Sequence, residues 1–180
     1  MEKCNDNSYS EVLSEPSLRA LIAEKAGELV ELLSKLNYHI SFAESCTAGL
    51  LSDSLASVSG ASKVFEEGYV TYSDKAKVRM LGVSSDIIEV HTAVALETAK
   101  DMCEKLAFLS RAEVNISVTG YAGPRVKDEP VGLVYIGLNI KGETKVFECH
   151  FDGDRQEVRL KATLKAFSEA YLGLKNSEKL

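Results

Sequence analysis

In the stretch Ala43-Glu44-Ser45-Cys46-Thr47-Ala48-Gly49, small polar residues follow an apolar run, Ile40-Ser41-Phe42. Hydroxyls and backbone N–H groups at a junction where a strand gives way to a helix can support a nucleophile or bind an anion. Two later segments, Tyr72-Ser73-Asp74-Lys75-Ala76-Lys77 and Thr119-Gly120-Tyr121-Ala122-Gly123-Pro124, also follow runs that read as strands. Three such loops imply one shared site on which Ser45, Lys77 and Thr119 converge.

Each residue also has a plainer role. Ser45 or Thr47 could simply cap a helix. Hydrolysis by Ser45 requires a base, and no histidine stands in a recognisable triad arrangement. A lysine serves if burial or nearby positive charge keeps it neutral. Lys77, three residues after Asp74, is the candidate, against the ordinary alternative of an exposed helix lysine. Lys75, two positions away, points to another face. Cys46 is a second candidate nucleophile, because a helix N-terminus lowers a thiol pKa; the alternative is a small packed thiol. The glycines of Thr119–Pro124 offer N–H donors to an anion or oxyanion, or serve as turn residues. Arg155, in Gly153-Asp154-Arg155, can clamp a phosphate, with Arg159 one turn further on; a surface arginine is the alternative.

The elements that position these residues follow from the apolar pattern. Leu18, Leu21, Ile22, Ala26, Leu29, Leu32 and Leu33 recur at helical spacing after Pro16, and Asn37-Tyr38 ends that helix. Strands are expected over 38–44, 64–72, 113–119, 131–140 and 143–151. Helices are expected from Ser45–Thr47 to Ser59-Gly60, over 74–81 up to Gly82, over 93–109 and over 154–173. Helices between the first three strands imply parallel crossovers. Lys141-Gly142 joins the last two as an antiparallel hairpin. The result is a mixed, mostly parallel five-stranded sheet with helices on both faces. Residues 1–14 and 177–180 read as tails on a single domain of 15–176.

With 180 residues, 45% hydrophobic and 27% charged, the chain suits one well-cored domain. A net charge of −6 argues against general nucleic-acid binding. No apolar run approaches the roughly 20 residues of a membrane span. Met1–Asp6 lacks a signal peptide's apolar segment, and the cytoplasm is the expected compartment. The scattered Cys4, Cys46, Cys103 and Cys149 are expected as reduced thiols. His39, His91 and His150 lack ligand spacing, so neither metal nor cofactor is expected.

Taken in order, these segments resemble the CinA C-terminal domain family, which includes stand-alone nicotinamide-nucleotide amidases. The matching pieces are Glu44-Ser45-Cys46-Thr47-Ala48-Gly49-Leu50, Val64-Phe65, Gly68-Tyr69-Val70-Thr71-Tyr72-Ser73, Ala76-Lys77, Met80-Leu81-Gly82-Val83, Thr119-Gly120, Ala122-Gly123-Pro124, Pro130-Val131-Gly132 and Gly153-Asp154-Arg155. The ordered set, spanning about 18–173, is specific where no single piece is. The resemblance implies a three-layer α/β/α sandwich like the anticodon-binding domain. It also implies hydrolysis of the carboxamide of nicotinamide mononucleotide to nicotinic acid mononucleotide and ammonia. Ser45 would be the nucleophile and Lys77 the base, with Thr47, Gly49, Tyr72, Thr119, Gly120, Gly123 and Arg155 binding substrate. The expected partner is a small nucleotide substrate, without nucleic acid or membrane, and a homodimer is the expected assembly.

The family's loop after Ala-Gly-Pro is usually glycine-rich, whereas here it is Arg125-Val126-Lys127-Asp128-Glu129. That difference motivates two other expectations: a catalytically silent nucleotide- or partner-binding module, or an amidase for another small amide.

Overall fold

A computed structural model describes residues 2–3, 13–124 and 130–177. The 125–129 loop, and most of the two tails, lie outside the described residues. In chain order the elements are β1 (Glu2–Lys3), α1 (Glu15–Leu36), β2 (Ile40–Glu44), α2 (Leu50–Ala56), β3 (Phe65–Val70) and α3 (Asp74–Ala76). A π-helical turn (Lys77–Leu81) follows, then α4 (Ser85–His91), α5 (Leu96–Ser110), β4 (Val114–Gly120), β5 (Leu133–Ile140), β6 (Glu143–His150) and α6 (Arg155–Ser177).

The strands lie in the order β1-β6-β5-β4-β2-β3. β2 is parallel to both β3 and β4, and β5 is antiparallel to β4 and β6. The expected five-stranded mixed sheet is therefore present, and β1 adds a two-residue strand parallel to β6 at its edge. At the β5–β6 turn Lys141 and Gly142 both have positive φ, 52° and 93°. That is the conformation whose twist matches a two-residue hairpin.

The two sheet faces differ in chemistry. Ile40 and Phe42 of β2, and Val114, Ile116 and Val118 of β4, pack in one apolar core with α1, α2 and α6. The alternate residues of β4 face α5: Ser117 donates to the Ala99 carbonyl at 2.7 Å and Thr119 to the Ala93 carbonyl at 2.7 Å. Period-two alternation divides the strand in this way. The Thr119 contact also holds the segment before α5 out of the helix, so α5 begins at Leu96 rather than near residue 93.

α5 lies so close to the sheet that Gly137 is required. A Cβ there would sit 2.4 Å from Ser117 Oγ and 2.9 Å from both the Ala99 carbonyl oxygen and Cys103 Cβ. Neither the Ala99 carbonyl nor the Cys103 Cβ, fixed to its helix backbone, can swing aside, so Gly137→Ala is expected to lower stability by about 1–3 kcal/mol. Gly27, inside α1, has nothing within 4 Å of such a Cβ, so Gly27→Ala should raise stability by about 0.5–1 kcal/mol. Thermal denaturation of the two variants checks both signs.

Candidate active site

The site sits at the carboxyl ends of β2, β3 and β4, where the register aligns the last residues. Glu44 is level with Val70 on one side and Val118 on the other. The ladder runs one step further: Ser45 N–H donates to the Val118 carbonyl at 2.9 Å, and Thr71 N–H to the Glu44 carbonyl at 2.7 Å. Ser45 and Thr71 are thereby set side by side.

Lys77 reaches this point from a tightly built turn. Ser73 caps α3 by accepting from Ala76 N–H at 3.1 Å. Gly82, at φ 76°, ends the following π-helical turn. The geometry turns Lys77 inward while Lys75 stays exposed. Only 1% of Lys77 is accessible and 8% of Ser45. Lys77 Nζ lies 3.0 Å from Ser45 Oγ and 3.2 Å from the Thr71 carbonyl oxygen. Burial pushes the Lys77 pKa below its ordinary value, against the opposing pull of Asp74 and Cys46. Cys46 adds little to that pull, because its own pKa is pushed up to about 12 by burial and it stays an uncharged thiol at neutral pH.

Neither Ser45 nor Thr47 caps α2, and the expectation that this helix starts at Ser45–Thr47 is corrected. It starts at Leu50, after a turn over 45–49 that ends in Gly49 at φ 93°. The capping group is one the sequence did not single out. The fully buried Glu44 carboxylate accepts from the N–H groups of Gly49, Leu51 and Ser52 at 2.9, 3.1 and 2.9 Å, and from Ser52 Oγ at 2.7 Å. The signal was available: Ile40, Phe42 and Glu44 share one face of β2, so a charge there points inward.

The substrate-binding candidates occupy several environments. Tyr72, 56% exposed, and Gly123 both meet Arg155, whose Nη2 donates to the Tyr72 hydroxyl at 2.9 Å and whose Nη1 donates to the Gly123 carbonyl. Arg155 starts α6, whose first turn is closed by a capping box. Asp154 Oδ1 accepts from Gln156 and Glu157 N–H, and Glu157 accepts from Asp154 N–H. One turn later Arg159 donates to the Thr47 carbonyl at 2.7 Å. The Thr47 hydroxyl is buried without a partner among the described residues. Gly120 ends β4, where a Cβ would meet the Leu133 carbonyl oxygen at 2.7 Å. The Thr119 hydroxyl is engaged with Ala93, on the α5 face. The structure thus joins Ser45 with Lys77, and Tyr72 with Gly123 and Arg155, and uses Thr119 and Gly120 in packing.

Of the cysteines, Cys46 and Cys103 are buried free thiols. Cys149 is disulfide-bonded, which corrects the expectation of reduced thiols throughout. Among the described residues no cluster of His, Cys, Asp or Glu is arranged to hold a metal ion, and no helix is long and apolar enough to cross a membrane. A cavity of about 510 Å³ beside the Lys141 turn and the end of α6, lined by Ile140, Phe147 and Leu172, lies at the other end of the sheet.

A mixed α/β sandwich with a buried serine–lysine pair at the ends of its parallel strands is the class of domain defined here. Residues 22–172 match the CinA C-terminal domain, and the chain belongs to that family. It is 41% identical over 165 residues to a putative competence-damage inducible protein of Caldanaerobacter subterraneus subsp. tengcongensis, covering 90% of this chain and 40% of that protein. It is 44% identical over 144 residues to one from Clostridium novyi, covering 77% and 35%. The chain thus spans well under half the length of these relatives. Among solved structures, a competence or damage-inducible protein from Enterobacter asburiae superposes with a TM-score of 0.82 at 34% identity, covering 85% of this chain and 98% of that one. A CinA superfamily protein from Escherichia coli superposes with a TM-score of 0.81 at 29% identity, covering 92% and 95%.

The pKa of Cys46 sets an expectation for its reactivity. With a pKa of about 12 and only 5% of its surface accessible, Cys46 should resist iodoacetamide in the native protein at pH 8 and react once urea unfolds the chain. Mass spectrometry of the alkylated peptide checks this; rapid native labelling would restore Cys46 as a nucleophile.

Proposed function

We propose that this domain is an amidohydrolase that converts nicotinamide mononucleotide to nicotinic acid mononucleotide and ammonia. The observation that carries the chemistry is the Lys77 amine, stripped of water and 3.0 Å from Ser45 Oγ. The substrate comes from the family resemblance of the loops around that pair.

Neutral Lys77 takes the Ser45 proton as Oγ attacks the carboxamide carbon. The resulting ammonium then protonates the departing nitrogen, and ammonia leaves an ester on Ser45. Water attacks the ester as Lys77 accepts its proton; the ammonium returns that proton to Ser45 Oγ as the ester C–O bond breaks, and the acid is released with both residues restored. A buried lysine suits this cycle because desolvation disfavours its charged form. Arg155, at the exposed rim, keeps N–H donors beyond the two given to Gly123 and Tyr72. It is the group for the substrate's phosphate or for its carboxamide end.

Ser45→Ala should reduce ammonia release by on the order of 10⁴–10⁶ with the fold intact, because members of a catalytic unit are not additive. Lys77→Ala should be nearly as damaging, and Lys77→Arg should not rescue, since a guanidinium stays protonated. Lys75→Ala should be mild, its side chain being exposed. Equal losses at 75 and 77, or full activity in Lys77→Arg, would overturn the dyad.

Arg155→Ala distinguishes the two ends of the substrate. A charge-assisted contact to phosphate contributes about 1.5–3 kcal/mol. If Arg155 holds the phosphate, the variant loses much of its preference for the mononucleotide over the riboside. Equal losses on both substrates would place Arg155 at the carboxamide end or in the fold.

A further inference from the structure

A tetrahedral intermediate on Ser45 would carry an oxyanion that needs preorganised donors. Residues 45–52 have eight backbone N–H groups, and six have acceptors in the protein. Ser45 donates to Val118 at 2.9 Å, Ala48 to Ser45 at 3.1 Å and Leu50 to Thr47 at 3.2 Å. Gly49, Leu51 and Ser52 donate to the Glu44 carboxylate. The remaining two belong to Cys46 and Thr47, which find no carbonyl or carboxylate acceptor among the described residues. Both residues are buried. The Cys46 amide meets only its own thiol, a weak acceptor, and the Thr47 amide has no acceptor among the described residues; buried amides are normally well paired, so two such groups immediately after a nucleophile call for a ligand. The buried Thr47 hydroxyl beside them also lacks a partner among the described residues.

We infer that Glu44 is a positioning residue for the reaction: its carboxylate holds the far end of the turn so that the Cys46 and Thr47 amides stay free to receive the oxyanion. This rests on the amidase assignment for its chemistry. At a nucleophile on a sharp strand-to-helix turn, the amide that follows the nucleophile is well placed as a donor. Arg159 secures the other side of the turn through the Thr47 carbonyl. The rival donors are Ala122 and Gly123, whose amides are also without protein acceptors among the described residues; the Tyr121 amide is taken by the Leu133 carbonyl. Those two stand in a separate loop, whereas Cys46 and Thr47 share the nucleophile's own turn.

The test uses ¹⁵N-labelled full chain and a phosphonofluoridate. Ser45 Oγ bonds to phosphorus as the P–F bond breaks, fluoride leaves and the serine proton passes to Lys77, so that a phosphonyl oxygen occupies the oxyanion position. The amide protons of Cys46 and Thr47 should move downfield; movement at Ala122 and Gly123 instead, or no adduct at Ser45, overturns the inference. In parallel, Glu44→Gln, which replaces one accepting oxygen by a donor, should lower kcat by about 10²–10³ with KM and the affinity for nicotinic acid mononucleotide unchanged. Ser52→Ala, which removes only the hydroxyl contact, should stay within a few-fold of wild type. A folded Glu44→Gln with wild-type kcat contradicts the positioning role, and a variant that fails to fold leaves the spectrum of the wild-type adduct to decide. An adduct with the expected shifts in a protein that does not hydrolyse nicotinamide mononucleotide would instead refute the substrate alone.

Discussion

Placing a lysine amine inside a protein sets the terms for everything around it. An ammonium deprived of water is costly unless it is paired with a counter-charge or loses its proton. At Lys77 the polar atoms within reach of Nζ among the described residues are one hydroxyl and one carbonyl, of Ser45 and Thr71. Neither carries a charge, and the neighbouring Cys46 is held as a thiol. Asp74 favours the ammonium, but burial acts more strongly in the opposite sense. Burial therefore shifts Lys77 toward the neutral amine, the form that the proposed reaction needs beside the Ser45 hydroxyl.

That contact depends on the sheet. Ser45 and Thr71 are neighbours because β2 is level with β3 and β4, with Glu44 opposite Val70 and Val118. A slip of one residue would turn the alternating side chains to the other face and separate hydroxyl, carbonyl and amine. The other loops are fastened to the same end by α6: Arg155 holds Tyr72 and Gly123, and Arg159 holds Thr47. One helix N-terminus thus braces the loops after β2, β3 and β4. The α5 face contributes from below, where Ser117 satisfies the Ala99 carbonyl in the first turn of the helix and Thr119 the Ala93 carbonyl just before it.

Much of this was legible in the sequence because the signals were local. Strand runs such as Tyr69-Val70-Thr71, the Lys141-Gly142 turn and the glycines that stop helices mark elements by their own conformational preferences. Loops after parallel strands then predict convergence of Ser45 and Lys77 from topology alone. What escaped depends on tertiary contacts. Small hydroxyl residues before an apolar run look like caps, yet the buried carboxylate of Glu44 takes that role and delays α2 to Leu50. Thr119 reads as opening a strand-end loop on the shared site, yet alternation along β4 turns its hydroxyl toward α5 and the Ala93 carbonyl. The two-residue β1 is too short to carry any periodicity. The bonded state of Cys149 depends on chain proximity that spacing does not reveal.

The protonation of Lys77 is the quantity on which the proposed mechanism turns, and it can be measured without any substrate. The side chain can be followed by NMR of ¹³C-labelled lysine across a pH titration, with Lys77→Met identifying its resonance. A midpoint below the ordinary lysine value of about 10.4 is the result expected from burial of the amine beside Ser45. A midpoint at or above that value would mean that Lys77 remains an ammonium at working pH, and Ser45 would then have no base.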